Sequence, residues 1–236
     1  MLTPPKNLPA NATARGDSIN LQVTHSSSAR VHGTDNGPAL GDETTYPPTP
    51  PVPRRTRSIG RTLTVDISGP PRGHAVVILE DPDADPEFVD SVRARLHIAL
   101  LRTVVITPDR CPHPQEVLET LRRVGVSWSL LVADRGLGPL AWTMAATHRE
   151  RFSGLVVADC PHPRVADAAG TIIDPHCPPV LANTTALVSE NTDIAIGRAS
   201  GRYVHGQFRL ARLARHVDHR VVQLATEIVL HAHNHH

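Results

Sequence analysis

Residues 127–160, SWSLLVADRGLGPLAWTMAATHRERFSGLVVADC, decide how this chain folds. Leu130, Leu131 and Val132 form a short apolar run that stops at Ala133-Asp134-Arg135-Gly136. Leu140, Met144, Ala145 and Phe152 then recur at roughly helical spacing, and Leu155-Val156-Val157-Ala158 is a second apolar run. Two such runs, each of strand length and separated by an amphipathic segment, predict parallel strands buried on both faces. The turn after the first run is where chemistry would sit. A polar side chain there projects into the crevice at the strand's carboxyl end, beside the amides of a helix's first turn.

The pattern extends in both directions. Upstream, Thr62-Leu63-Thr64-Val65-Asp66-Ile67 alternates with period two and predicts a half-exposed strand. Gly69-Pro70-Pro71 turns the chain, and Ala75-Val76-Val77-Ile78-Leu79 reads as a buried strand. A helix is expected from about Pro86 to Leu101, a strand at Val104-Val105-Ile106, and a helix carrying Val117, Leu118 and Leu121 on one face. Downstream come a short segment from Pro163 to Gly170, a strand at Pro179-Val180-Leu181-Ala182 and a helical piece around residues 192–205. A strand at Phe208–Leu213 and an amphipathic helix with Val221, Leu224, Ala225, Ile228 and Val229 close the chain. This alternation predicts a three-layer α/β domain with a mostly parallel sheet.

Residues 1–57 differ in kind. They are rich in Pro, Thr, Ser and Asn and end near the run Tyr46-Pro47-Pro48-Thr49-Pro50-Pro51-Val52-Pro53. So few apolar groups do not offset the entropy of ordering, so the expectation is a disordered or extended polyproline arm ahead of one folded domain at 58–236. The Pro run followed by Arg54-Arg55-Thr56-Arg57 suits an aromatic-lined groove on a protein partner, or is a solvated linker.

Bulk numbers narrow the function classes. The formal net charge is +1, which favours neither nucleic acid nor an anionic membrane as partner. The three cysteines, Cys111, Cys160 and Cys177, cannot all pair, which points to a reducing compartment. No apolar run approaches the roughly 20 residues that span a bilayer. The N-terminus lacks the basic-then-apolar order of a secretory signal, so a cytoplasmic location is expected.

The strand–turn–helix at Asp134-Arg135-Gly136 resembles the nucleophile elbow of the α/β-hydrolase superfamily. The usual Ser is absent, and the residues are closest to the His-Asp-Arg-Gly elbow of haloacetate dehalogenases, relatives of haloalkane dehalogenases and epoxide hydrolases. The resemblance covers about residues 61–232. It implies an α/β-hydrolase-like domain in which Asp134 attacks carbon to form an ester, His216 activates the water that hydrolyses it, and Asp159 holds the imidazole tautomer. It also makes Arg135 a two-pronged grip for a substrate carboxylate. The register of the elbow is open: an ungapped match puts Arg135 in the nucleophile's slot, and Asp134 reaches it only with a slip of one residue. Arginine, always protonated, is no nucleophile. Asp134 could equally cap the following helix, and Asp159 could serve to end its strand.

Three departures stand against the full catalytic set. Glu80-Asp81 occupy the place where the superfamily has His-Gly beside the oxyanion hole, so with Arg135 they would border the substrate. The stretch between Val157 and Pro179 is too short for a cap domain, and the segment after Asp109 lacks Gly-x-Gly-x-Ser. Two readings follow: a small hydrolase acting on a haloacid-, epoxide- or ester-like substrate, or a non-catalytic descendant that binds a small ligand or a protein.

Other motifs carry less. Cys111-Pro112-His113 recurs as Cys160-Pro161-His162, and His176-Cys177 adds two more soft ligands. The inferred strand order separates the first two by about 15 Å, so no metal site is expected. Gly136-Leu137-Gly138 is too short for a dinucleotide fingerprint, and no cofactor is expected.

Overall fold

The computed structural model describes the backbone of Arg55–Ser58 and residues 63–233. Among the described residues eight strands form one sheet: β1 (Arg55–Ser58), β2 (Leu63–Ser68), β3 (Ala75–Leu79), β4 (Arg102–Pro108), β5 (Ser129–Asp134), β6 (Phe152–Ala158), β7 (Asn183–Val188) and β8 (Phe208–Arg212). Their order across the sheet is β1-β2-β4-β3-β5-β6-β7-β8. β2 runs antiparallel to β1 and β4, and every pair from β4 to β8 is parallel. The expected mostly parallel sheet is present.

Among the described residues five α-helices cover it: α1 (Pro86–Ile98), α2 (Pro114–Arg123), α3 (Gly138–Thr147), α4 (Ile194–Ser200) and α5 (Val217–His233). Strand alternation divides the core between the two faces. Val76 and Ile78 point toward α1 and α5, joining Leu96, Val132 and Ile228. Val77 and Leu79 point the other way, toward α2 and α3, joining Leu121, Leu131 and Trp142. Each β3 residue is therefore buried whichever way it faces, which is why the run has no polar alternation.

Helix ends are set locally. Asp85 caps α1 by accepting from Glu87 N at 3.0 Å, with Pro86 in the first helical position. α1 stops in two reversed hydrogen bonds, Leu101 N to Leu96 O and Leu100 N to His97 O, both 3.0 Å. That closure puts Leu100 at φ 60, a left-handed position usually given to glycine. His113 and Glu116 form a reciprocal capping box at the start of α2.

Two elements depart from expectation. The strand expected at Pro179–Ala182 lies further on, at Asn183–Val188, and Val180 contributes an isolated bridge with Val204. Pro178 and Pro179 have no N–H to give a ladder. Thr184 and Thr185, polar in the sequence, are fully buried because the first donates to Ala182 O (3.1 Å) and the second bonds His231 Nε2 (2.7 Å). At the other edge, β1 takes in the last three residues of the expected arm. Residues 1–54, which carry the rest of that arm, lie outside the described residues.

Residues 159–182 join β6 to β7 without a helix, so no cap domain stands over the sheet there. His162 anchors this connection. It is fully buried, stacks on Tyr203 with centroids 4.6 Å apart, and meets Trp142 edge-on at 5.1 Å. Its Nε2 donates to Pro178 O (3.2 Å) while Nδ1 accepts from Arg164 N (3.2 Å). Burial holds its pKa below the usual value. Among the described residues no helix is long and apolar enough to cross a membrane.

Candidate functional site

The connections from β3 and from β5 leave the centre of the sheet in opposite directions, so a crevice opens at their carboxyl ends. β5 carries Asp134 to that crevice in an extended conformation, φ −125 and ψ 166. Arg135 follows at φ 28, in the left-handed region, and begins a 3-10 turn that leads into α3. The strained residue of the elbow is therefore Arg135, and Asp134 is the last residue of the strand. Asp134 makes no side-chain capping bond.

Two glycines let neighbouring loops close on the turn. A Cβ on Gly136 would stand 2.7 Å from Asp81 Oδ2, and one on Gly138 would stand 2.3 Å from both Cβ and Sγ of Cys160. The first brings the loop after β3 against the elbow, and the second seats the first turn of α3 on the exit of β6. Trp142 completes that seat by donating from Nε1 to Cys160 O at 3.2 Å.

A cavity of about 70 Å³ opens beside the elbow, on the side of α1 and α5. Phe88, Val132, Leu224 and Ile228 form its apolar body, and Glu80, Asp134, Arg135, Asp159 and Arg220 its polar border. It is small beside the roughly 300–1,000 Å³ of ordinary ligand sites. Burial raises the pKa of Asp134 above the ordinary 3.8; Arg135 offsets part of this, and the Asp81 and Asp159 charges add to it. Burial, and after it the charges of Asp134 and Asp159, push the Cys160 thiol up to about 12.

The border carboxylates differ in their commitments. Glu80 accepts from the Thr107 hydroxyl (2.7 Å), and Asp81 from Asp83 N (3.0 Å) in a local turn. Asp159, at φ 50, accepts from Ser189 N (2.6 Å) and the Thr192 hydroxyl (3.0 Å), which ties the end of β6 to the loop after β7. Arg135 is exposed at the mouth. Arg220 lies over the Phe88 ring at 6.0 Å, with a buried Nε that has no partner among the described residues.

Of the residues singled out in the sequence, Asp134, Asp159, Arg135 and Glu80 thus line one cavity, and Asp81 sits beside it. His216 is not among the lining residues. It is exposed on the loop between β8 and α5, with its ring 5.8 Å from that of His219. Leu213 of the same loop does line the cavity, and the loop is fixed by Gln223, which accepts from Ala214 N and donates to Arg212 O, and by Arg215, which pairs with Glu190. Arg220 was not legible in the sequence, because a cationic residue in the first turns of an amphipathic helix reads as solvated.

The cysteine–histidine pairs serve the fold. Cys111 is exposed, His113 caps α2, and Cys160, His162 and Cys177 are buried between α3 and the β6–β7 connection. Among the described residues no three His, Cys, Asp or Glu side chains gather closely enough to hold a metal ion.

No family model matches the sequence, and no curated protein matches it. Solved structures do match in shape. Epoxide hydrolase A from Mycobacterium thermoresistibile superposes with a TM-score of 0.58 at 10% identity, covering 77% of this chain and 98% of that one. A loop variant of a haloalkane dehalogenase from Bradyrhizobium elkanii gives 0.56 at 10% identity, over 77% and 97%. An α/β hydrolase enzyme from the metagenome of lagoon sediments at Mar Chica, Morocco, gives 0.59 at 14% identity, over 73% and 96%. Likeness at such identities is likeness of architecture. With the strand order and the crossed elbow described above, it establishes that this chain has the α/β-hydrolase fold.

Proposed function

We propose that the protein is a non-catalytic member of this fold that binds a small ligand in the cavity beside the elbow. The observation that carries this reading is the identity of the elbow residue. Arg135, with φ 28, occupies the left-handed corner at the strand end, and among the described residues no imidazole lines the cavity beside it. Nucleophilic hydrolysis needs a nucleophile with a base in reach, and a guanidinium supplies neither. Glu80 and Asp81 reinforce the point, since carboxylates beside a developing oxyanion oppose it. What remains is a pocket with an apolar body and a mixed-charge mouth, suited to a compact ligand with one polar end.

A second reading rests on Asp134 and Asp159 sharing the wall of that cavity, with the proton affinity of Asp134 raised. In it Asp134 displaces halide or opens an epoxide to form an ester, and water activated by His216 hydrolyses the ester. His216 is exposed on a loop whose Leu213 lines the cavity, so in this reading its imidazole turns toward Asp134. Parallel measurement of binding and product release over short haloacids, epoxides and esters separates the two. Saturable binding without turnover is expected; turnover that disappears in Asp134→Asn would overturn the non-catalytic reading.

A further inference from the structure

The cavity beside the elbow is bordered by one charge that lacks a counter-charge. Arg220, near the start of α5, is half-buried in the lining, with its guanidinium 6.0 Å from the centre of the Phe88 ring. Its Nε is shielded from water and has no partner among the described residues. Arg209 pairs with Glu227 and Arg215 with Glu190, whereas no acid pairs with Arg220 among the described residues. The acids on the cavity wall are committed elsewhere: Glu80 accepts from the Thr107 hydroxyl, and Asp159 from Ser189 N and the Thr192 hydroxyl. The charges that weigh most on Asp134 are those of Arg135, Asp81 and Asp159. Arg220 therefore stands apart from the acidic elbow. A guanidinium against apolar surface, partly withdrawn from water, is stabilised by an anion that accepts from its donors.

The rest of the lining suits an aliphatic tail. Arg220, Leu224 and Ile228 follow one another at four-residue spacing, so one face of α5 presents a cation and then two aliphatic groups over roughly 12 Å. Phe88 from α1 and Val132 from β5 add to the apolar wall. At about 70 Å³, against the roughly 10–15 Å³ that one water needs, the cavity takes roughly five to seven non-hydrogen atoms. A carboxylate group uses three of these, which leaves roughly two to four carbons for the tail.

We propose that the ligand of this cavity is a short straight-chain carboxylate, roughly three to five carbons long, whose oxygens are held by the Arg220 guanidinium and whose tail runs along Leu224 toward Ile228. The inference rests on the reading of the cavity as a binding site, and adds to it the charge of the ligand and its direction. The charged end lies against α5, so the grip comes from Arg220 and not from Arg135, which is exposed at the mouth. The planar guanidinium fork matches two carboxylate oxygens, which a single hydroxyl does not. An ammonium ligand would instead meet Arg220 as a like charge at the one place on the wall where a partner is missing.

The test is titration of the full chain with butanoate, butanamide and butylammonium, followed by calorimetry and by the methyl resonances of Val132, Leu224 and Ile228. Butanoate should bind saturably, and butanamide more weakly by about tenfold or more. Arg220→Gln should weaken butanoate by about tenfold or more and leave butanamide as it was. Arg220→Lys, which keeps the charge without the fork, should recover part of the loss. Should the glutamine variant fail to fold, the three probes on the parent chain and the lysine variant still decide. Equal binding of butanoate and butanamide, a preference for butylammonium, or butanoate affinity unaltered by Arg220→Gln would overturn the assignment while leaving the cavity a binding site. Loss of butanoate binding in Arg135→Gln alone would place the anion at the elbow, with the same consequence. Methyl resonances unmoved by all three probes would count against the assignment and the binding reading together.

Discussion

Asp134 and Arg135 are adjacent in sequence and stand in different backbone regions, one extended and the other at positive φ. That single step decides which side chain the elbow offers. The carboxylate ends up against the wall of a small cavity, among other carboxylates, and its pKa is raised by burial. The folded chain therefore keeps a proton that the unfolded chain releases once pH exceeds about 3.8, and stability falls as pH rises through that interval. Asp134→Asn has no such proton to lose. Thermal unfolding should show the variant more stable than the parent at neutral pH, with the gap closing below pH 3.8. Gly138 makes a sharper case. A methyl group there would stand 2.3 Å from Cys160, so Gly138→Ala should cost about 2 kcal/mol through overpacking and lower Tm by roughly 4–8 °C. An unchanged Tm would mean that α3 is not seated on the exit of β6.

At the scale of elements, the strand reading was strongest where both faces of a strand are apolar. β3 coincides with the expected run at Ala75–Leu79 because every side chain there packs against aliphatic neighbours, a pattern visible without coordinates. β7 was misplaced because its buried threonines are satisfied by partners the local sequence does not announce, among them a histidine near the chain's end. β1, Arg-Thr-Arg-Ser, has no apolar pattern at all, and backbone pairing alone marks it as a strand. Asp66 shows the same limit. Period-two alternation assigned it to the polar side of β2, but that side is covered by α1, and Arg93, only 5% exposed, reaches it at 2.8 Å. Arg93 also bonds Ser68, which continues through Thr103 to His97. Removing one partner strands the other charge under the helix. Arg93→Ala should therefore lower stability by about 3 kcal/mol, a fall in Tm of roughly 6–12 °C by calorimetry. A loss below about 1 kcal/mol would mark the pair as an ordinary surface bridge.

For the molecule as a whole, the α/β-hydrolase fold is present, and what it positions at the ends of its strands decides the reading of the site. The sheet brings Asp134 and Asp159 together because parallel strands end at one edge, and that convergence could be read from the sequence. The position of His216 could not be. It depends on Gln223 of α5 holding the backbone of the β8–α5 loop and on Arg215 reaching Glu190, contacts that no local pattern encodes. The β6–β7 connection has no helix and folds down onto α3, where Trp142 meets the His162 ring and donates to Cys160 O, so this connection does not cover the crevice as a cap would. Intact-mass spectrometry of the full chain, quenched during incubation with chloroacetate and with a small epoxide, tests the non-catalytic reading most directly. An unchanged mass at every time point is the expected result, and an ester adduct mapped to Asp134 would contradict it.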